Sequence, residues 1–144
     1  VVLYAQAKGT TRPPKHTAHH WTRVTYEVYL DFWPVVAKQL EDMPITGAFK
    51  KLGPGWDEKQ TRSDWHYSGS WFWARTADIF ARDWRKIDQF WSGIEPWPSQ
   101  HFDAVEAGTI FHESRVPKMN LYNPGYWQRV VNPALEKWKA EHAR

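Results

Sequence analysis

Residues 66–75 read His-Tyr-Ser-Gly-Ser-Trp-Phe-Trp-Ala-Arg, so that Ser68-Gly69-Ser70 sits between aromatic side chains. Bulky rings of this kind suit a pleated, half-buried surface, and the run predicts a strand. A glycine inside a strand weakens it and often marks a place where another backbone or a ligand approaches closely. Two readings follow. In one, the rings are ordinary core, each burying a large apolar area. In the other, Tyr67 and Trp71 flank a cleft and offer flat apolar faces and tethered polar atoms to a ring-shaped polar ligand such as a sugar. Alternation places Trp71 and Trp73 on the face opposite Phe72.

The rest of the chain bears on that choice, because 11 Trp, 7 Phe and 6 Tyr occur in 144 residues. Trp is large and amphipathic, so this many cannot all be central core; some are expected at rims, clefts or interfaces. The length suits one domain that buries most of its apolar surface and is short for two. With 42% hydrophobic and 24% charged residues, the composition is globular rather than disordered.

The formal net charge is +3 and the basic residues are dispersed; Lys8, Arg12 and Lys15, beside Gly9, come nearest to a cluster. Nucleic-acid binders usually carry a basic stripe, so no nucleic-acid partner is expected. The lack of cysteine excludes disulfides, thiolate catalysis and cysteine-ligated zinc. His16, His19 and His20 lie close in sequence, but adjacent His side chains diverge and no carboxylate stands nearby at helical spacing, so no metal site is expected. No apolar run approaches the roughly 18–20 residues of a membrane span, and no charged-then-apolar leader is present, which predicts a soluble, cytoplasmic chain. The chain opens at Val1 directly on an apolar run, which suggests a cut domain or a processed product.

Along the chain, residues 1–7 predict a strand and 10–20 a loop. Apolar residues Trp21, Val24, Val28, Phe32, Val35, Val36, Leu40 and Met43 recur by threes and fours, which predicts a helix over 21–43 that Pro34 kinks or divides. Residues 44–52 predict a short strand, 65–74 the aromatic strand, and Thr76 an N-cap for a helix running to Trp91. The prolines around Trp97 predict a stiff loop over 93–99. Helices are predicted over 101–112, weakened by Gly108, and over 126–142, with Pro133 as an interior defect. The expected class is α/β: a mixed sheet of few strands with several packed helices, in a single domain spanning residues 1–144.

Certain of these residues, taken in order, resemble a known family. Tyr4-Ala-Gln-Ala-Lys8-Gly9, a loop, Trp21 at a helix start, a short strand with Gly47, and Ser68-Gly69-Ser70-Trp71-Phe72-Trp73-Ala74 are similar to the acceptor-side, C-terminal half of bacterial and viral glycosyltransferases of the GT-A type. In that family a strand ends in a His-Thr-Lys-Gly-like turn, a Trp-Arg pair opens a helix, and a later strand resembles Ser-Gly-Asn-Phe-Trp-Trp-Ala. Here Gln6-Ala7 stands for His-Thr, Ser70 for Asn, and Trp21-Thr22-Arg23 for the tighter pair. The resemblance covers residues 1 to about 115 and implies transfer of a sugar from a nucleotide-sugar donor to a hydroxyl of a saccharide or protein acceptor. Such enzymes also carry an earlier nucleotide-binding half with an Asp-X-Asp metal site, and no such pair occurs here. The expectation is therefore a fragment or half of a larger enzyme that binds no cofactor alone, with Mn or Mg belonging to the complete enzyme.

The resemblance implies a Glu downstream of the aromatic strand, which points to Glu106 as the base that takes the acceptor's proton, with Asp103 three residues before it on one helix face. An ordinary solvated helix face explains the same pair. His66 can donate and accept, and is a candidate for a sugar hydroxyl or a donor phosphate; a structural His is the rival reading. Lys8 and Arg12 would neutralise a diphosphate leaving group, with Gly9 allowing the turn, or they are solvated surface. Ser68, Gly69, Ser70, Tyr67 and Trp71 complete the candidate substrate site. The competing function is a carbohydrate-binding or assembly module that uses exposed Trp side chains as anchors.

Overall fold

A computed structural model describes residues 1–6, 12–13, 16–53, 63–87, 94–115 and 119–143. Its centre is β2 (Ile45–Leu52), which begins where Met43 and Pro44 end the preceding helix. Along one edge of β2 runs β5 (Ala107–Arg115), parallel to it. The other edge is shared between β3 (Trp65–Tyr67), antiparallel against residues 50–52, and β4 (Phe72–Ala74), antiparallel against residues 45–46. The short β1 (Val2–Tyr4) closes the sheet against β4. The result is a mixed five-stranded sheet with several helices, as the composition and periodicity predict.

The predicted helix over 21–43 is divided. Helix α1 (Thr17–Tyr26) passes through a π-turn (Glu27–Asp31) and is followed by α2 (Trp33–Asp42). Pro34 lies in the first turn of α2, where its missing N–H leaves no intrahelical bond unmade. His16 caps α1 by accepting the Ala18 amide hydrogen at Nδ1. The closing helix is likewise divided into α5 (Pro124–Tyr126), a π-turn (Trp127–Val131) and α6 (Asn132–His142), and Pro133 lies in the first turn of α6. Lys139 of α6 pairs with Glu27, which joins the closing helix to the first π-turn.

Four expectations are corrected. Residues 17–20, expected in a loop, form the first turn of α1, because His16 caps the helix ahead of Trp21. The aromatic strand is broken between β3 and β4 by a turn over 68–71. The helix after the aromatic strand is the short α3 (Thr76–Phe80); Arg75 rather than Thr76 is its cap residue, and it gives way to turns by residue 81. Residues 97–112 form α4 (Trp97–His101), a turn, and then β5, not a loop followed by a helix. The reason for the last correction is tertiary: β2 has an edge to fill, and Gly108 lets it be filled closely. A Cβ at Gly108 would stand 2.7 Å from the Gln39 side chain and 2.8 Å from that of Thr46.

Two apolar clusters pack on this frame. One joins Trp21, Val24, Val28 and Tyr29 to Phe49, Trp71, Phe111, Trp127 and Leu135, and so ties the first and last helices to the sheet. The other gathers Ile45, Trp65, Tyr67 and Phe72 with Trp97 and Phe102 beneath α4. Where the strand pairing shifts, Phe49, Ser70 and His112 all adopt positive φ, at 55°, 59° and 59°, and Gly69 stands at 87°. The Tyr29 hydroxyl bridges this irregularity. It donates to the Trp71 carbonyl at 2.6 Å and accepts from the Ala48 amide at 2.8 Å.

Candidate functional site

The Ser-Gly-Ser segment is held inside. Tyr67 is buried and its hydroxyl donates to the Gly108 carbonyl at 2.7 Å. Trp71 is buried with its Nε1–H donating to the Gln6 carbonyl at 3.0 Å, and its ring meets Trp21 edge-on at 5.9 Å. Ser68 and Ser70 are buried as well; the Ser68 amide donates to the Phe49 carbonyl and the Ser70 amide to the Tyr67 carbonyl, each at 3.0 Å. A Cβ at Gly69 would stand 2.7 Å from the Trp71 ring and 2.9 Å from Trp21. The close approach that this glycine signals is therefore to aromatic side chains of the protein, and neither Tyr67 nor Trp71 offers an open ring face. The core reading of these rings replaces the cleft reading, because a run this apolar stabilises most when it is sealed.

Glu106 and Asp103 are brought together, but as a turn rather than a helix face. One oxygen of Glu106 accepts the Asp103 amide hydrogen at 2.8 Å and the other accepts from Arg82 at 3.2 Å. Arg82 also donates to the carbonyls of Asp78 and His101 and lies over the Phe102 ring. These bonds make Glu106 the closure of the turn that leads into β5. Arg12 is exposed, and its carbonyl lies 3.1 Å from His19 Nε2; Lys8 and Gly9 lie outside the described residues.

His66 is different. Its side chain is 1% exposed, and neither ring nitrogen has a hydrogen-bond partner among the described residues. Glu95 Oε1 stands 3.8 Å from Nε2, and Lys51 is the residue directly opposite His66 in the β2–β3 pairing. Burial, with a smaller push from the Lys51 charge, moves the imidazole down to about 4, so it is neutral at ordinary pH despite the carboxylate. Burial lowers the Lys51 ammonium below the usual lysine value, against the pull of Glu95. Lys51 and Glu95 are half-buried, so the cluster reaches solvent on their side.

Local sequence explains this grouping. Lys50 and Lys51 are neighbours on a strand and therefore point to opposite faces. Lys50 turns inward, donating to the carbonyls of Ala104 and Ala107 at 2.8 and 2.7 Å and pairing with Glu113 at 3.4 Å. Lys51 is left facing His66. Glu95 lies between Ile94 and Pro96 in the proline-stiffened stretch before α4. Sequence reasoning singled out His66 but not Lys51 or Glu95; a lone acid in a stiff loop was the available signal, and the cross-strand pairing was not readable without the register.

Chemically, the cluster supplies one neutral imidazole that donates and accepts, one carboxylate that accepts, and one ammonium that donates. His66 and Glu95 could ligate a divalent ion, but the adjacent ammonium opposes one, and among the described residues no three metal-ligating side chains converge. The cluster does not fit a resident metal. No helix of the described residues is long and apolar enough to cross a membrane. No protein-family model, curated protein or solved structure matches the chain.

Proposed function

We propose that this chain is the acceptor-side portion of a glycosyltransferase, acting in the cytoplasm, which moves a sugar from a nucleotide-sugar donor to a hydroxyl of a saccharide or protein acceptor. The observation that carries the reading is His66, which is buried with no hydrogen-bond partner among the described residues, stands 3.8 Å from Glu95 and opposite Lys51, and lies two residues before the Ser68–Ala74 segment that resembles the GT-A family. A buried group with perturbed titration and a specific charged neighbour marks a functional site more often than an ordinary surface does.

In this reading Glu95, the carboxylate 3.8 Å from His66 Nε2, takes the role that the family resemblance implied for Glu106. The acceptor hydroxyl oxygen forms a bond to the anomeric carbon as the bond from that carbon to the nucleoside diphosphate breaks. The hydroxyl proton passes to the Glu95 carboxylate and the bonding pair leaves with the diphosphate. His66 orients the hydroxyl. Nucleotide binding, and any Mn or Mg, belong to an upstream segment or a partner.

Sugar transfer followed by mass spectrometry tests this reading in the complete enzyme. Glu95→Gln is expected to lower turnover by about a hundredfold or more, the usual range for losing a positioned base, while Glu106→Gln retains it. Equal retention by both variants removes the assignment. Titration calorimetry of this chain alone with UDP-sugars and Mn²⁺ should show little heat, and tight metal-dependent binding would contradict the division of labour.

One observation favours the rival, non-catalytic reading. Tyr26, Leu30 and Trp33, at helical spacing, are all exposed, and Trp33 packs on Trp73 with ring centroids 4.8 Å apart. An assembly module would use that stripe, and its loss would then matter more than loss of Glu95.

A further inference from the structure

Within the transferase reading, the donor phosphate and the acceptor hydroxyl are both chemically plausible guests for His66, and the charges around it discriminate between them. Lys51 and Glu95 are of opposite sign and flank the same imidazole, which is itself uncharged. A phosphate entering here would gain Lys51 but would meet the Glu95 carboxylate as a like charge, and among the described residues no second cation is paired with or set opposite His66. Phosphate sites are built the other way, from clustered cations or several converging amide hydrogens.

A hydroxyl has the complementary character. It is uncharged, donates one hydrogen and accepts at two lone pairs. One hydroxyl can donate to Glu95 and accept from Lys51, and a neighbouring hydroxyl can pair with His66. Two adjacent hydroxyls are what a saccharide ring presents. Both His66 ring nitrogens lack partners among the described residues, and a buried polar atom in that state stands to gain a full hydrogen bond from a ligand. Because Tyr67 and Trp71 are sealed, selectivity here would come from hydrogen bonds rather than from stacking.

We propose that the cluster of His66, Lys51 and Glu95 binds adjacent hydroxyls of an uncharged saccharide and excludes phosphate. This deepens the transferase reading and rests on it only for the identity of the ligand as an acceptor. The donor diphosphate must then be held elsewhere, by groups other than these three.

The test follows the imidazole nitrogens of His66 by NMR in the full chain, using maltose, cellobiose, lactose and N-acetylglucosamine as neutral probes and inorganic phosphate and pyrophosphate as anionic ones. At least one neutral sugar is expected to shift the His66 signals saturably, and the two anions are expected to leave them in place. Glu95→Gln and His66→Gln should each weaken sugar binding about tenfold or more, as expected when a hydrogen bond to a charged or buried group is lost. Thermal melting confirms that each variant is folded, and Lys51→Met supplies an independent variant at the rim of the cluster. Shifts produced by phosphate or pyrophosphate, or by none of the six probes, overturn the proposal. Sugar binding with normal turnover in Glu95→Gln keeps this site and sinks the transferase assignment of Glu95. Turnover in the complete enzyme without any sugar-dependent shift at His66 does the reverse.

Discussion

Tyr29 is buried in the middle of the sheet irregularity, and its single hydroxyl serves both β2 and the segment before β4. Tyr29→Phe keeps the ring but strands the Ala48 amide and the Trp71 carbonyl, each buried. The expected loss is about 2–4 kcal/mol in urea unfolding, the cost of leaving such groups unpaired. His66 predicts a pH dependence. Its value falls from 6.5 to about 4 on folding, so between those values the unfolded chain binds a proton that the folded chain refuses. Stability from this group is complete above 6.5 and is lost as pH falls toward 4, by roughly 3 kcal/mol in all. Unfolding at about pH 7 and about pH 4.5 should show this loss, and His66→Gln should remove most of the slope. An unchanged slope would mean that His66 is not buried neutral. The candidate site was legible at this scale only for His66: its residue type and place beside Ser68-Gly69-Ser70 attract notice, whereas the isolation of its nitrogens is a property of packing.

At the scale of elements, the periodicity of residues 21–43 and the position of Pro34 were enough to predict two helical pieces, because proline acts locally on the turn before it. The aromatic strand shows where local reasoning stops. β-formers on both sides of Ser68-Gly69-Ser70 predict one strand over 65–74, yet the pairing sums of β3 and β4 against β2 differ by two residues, and the turn over 68–71 absorbs the difference. Gly69 is the residue that permits it, at φ 87° and against two buried indoles. Gly69→Ala is expected to lower stability by about 2 kcal/mol or more, from both the disfavoured backbone and the overpacked rings. Thermal melting checks it; a change within about 0.5 kcal/mol, the range of an ordinary surface site, would show that the turn can relax. The helix predicted over 101–112 fails from Ala107 onward for a related reason. Phe102, Val105 and Ile110 look helical in isolation, but the vacant edge of β2 rewards an extended chain with a ladder of hydrogen bonds.

For the whole molecule, the abundance of aromatic residues is mostly spent on two clusters that lock helices to the sheet. The stripe of Tyr26, Leu30 and Trp33 lies outside them, as do the exposed rings of Phe80 and Tyr122 among the described residues. Leu30→Glu should alter folding stability by no more than about 0.5 kcal/mol, as is usual for an exposed side chain. If the stripe is an assembly face, light scattering will show self-association in the parent that this variant loses; a parent that stays monomeric at all concentrations dismisses self-assembly through it. Sequence by itself determined the mixed α/β class and the division of the long helical pattern at Pro34, because propensity, periodicity and proline geometry act over a few neighbouring residues. Tertiary structure alone decided that Tyr67 and Trp71 are sealed, that Glu106 closes a turn onto Arg82, and that His66 faces Lys51 and Glu95. Those outcomes depend on strand register and on contacts between residues distant in the chain, and no local pattern encodes which partner will be there.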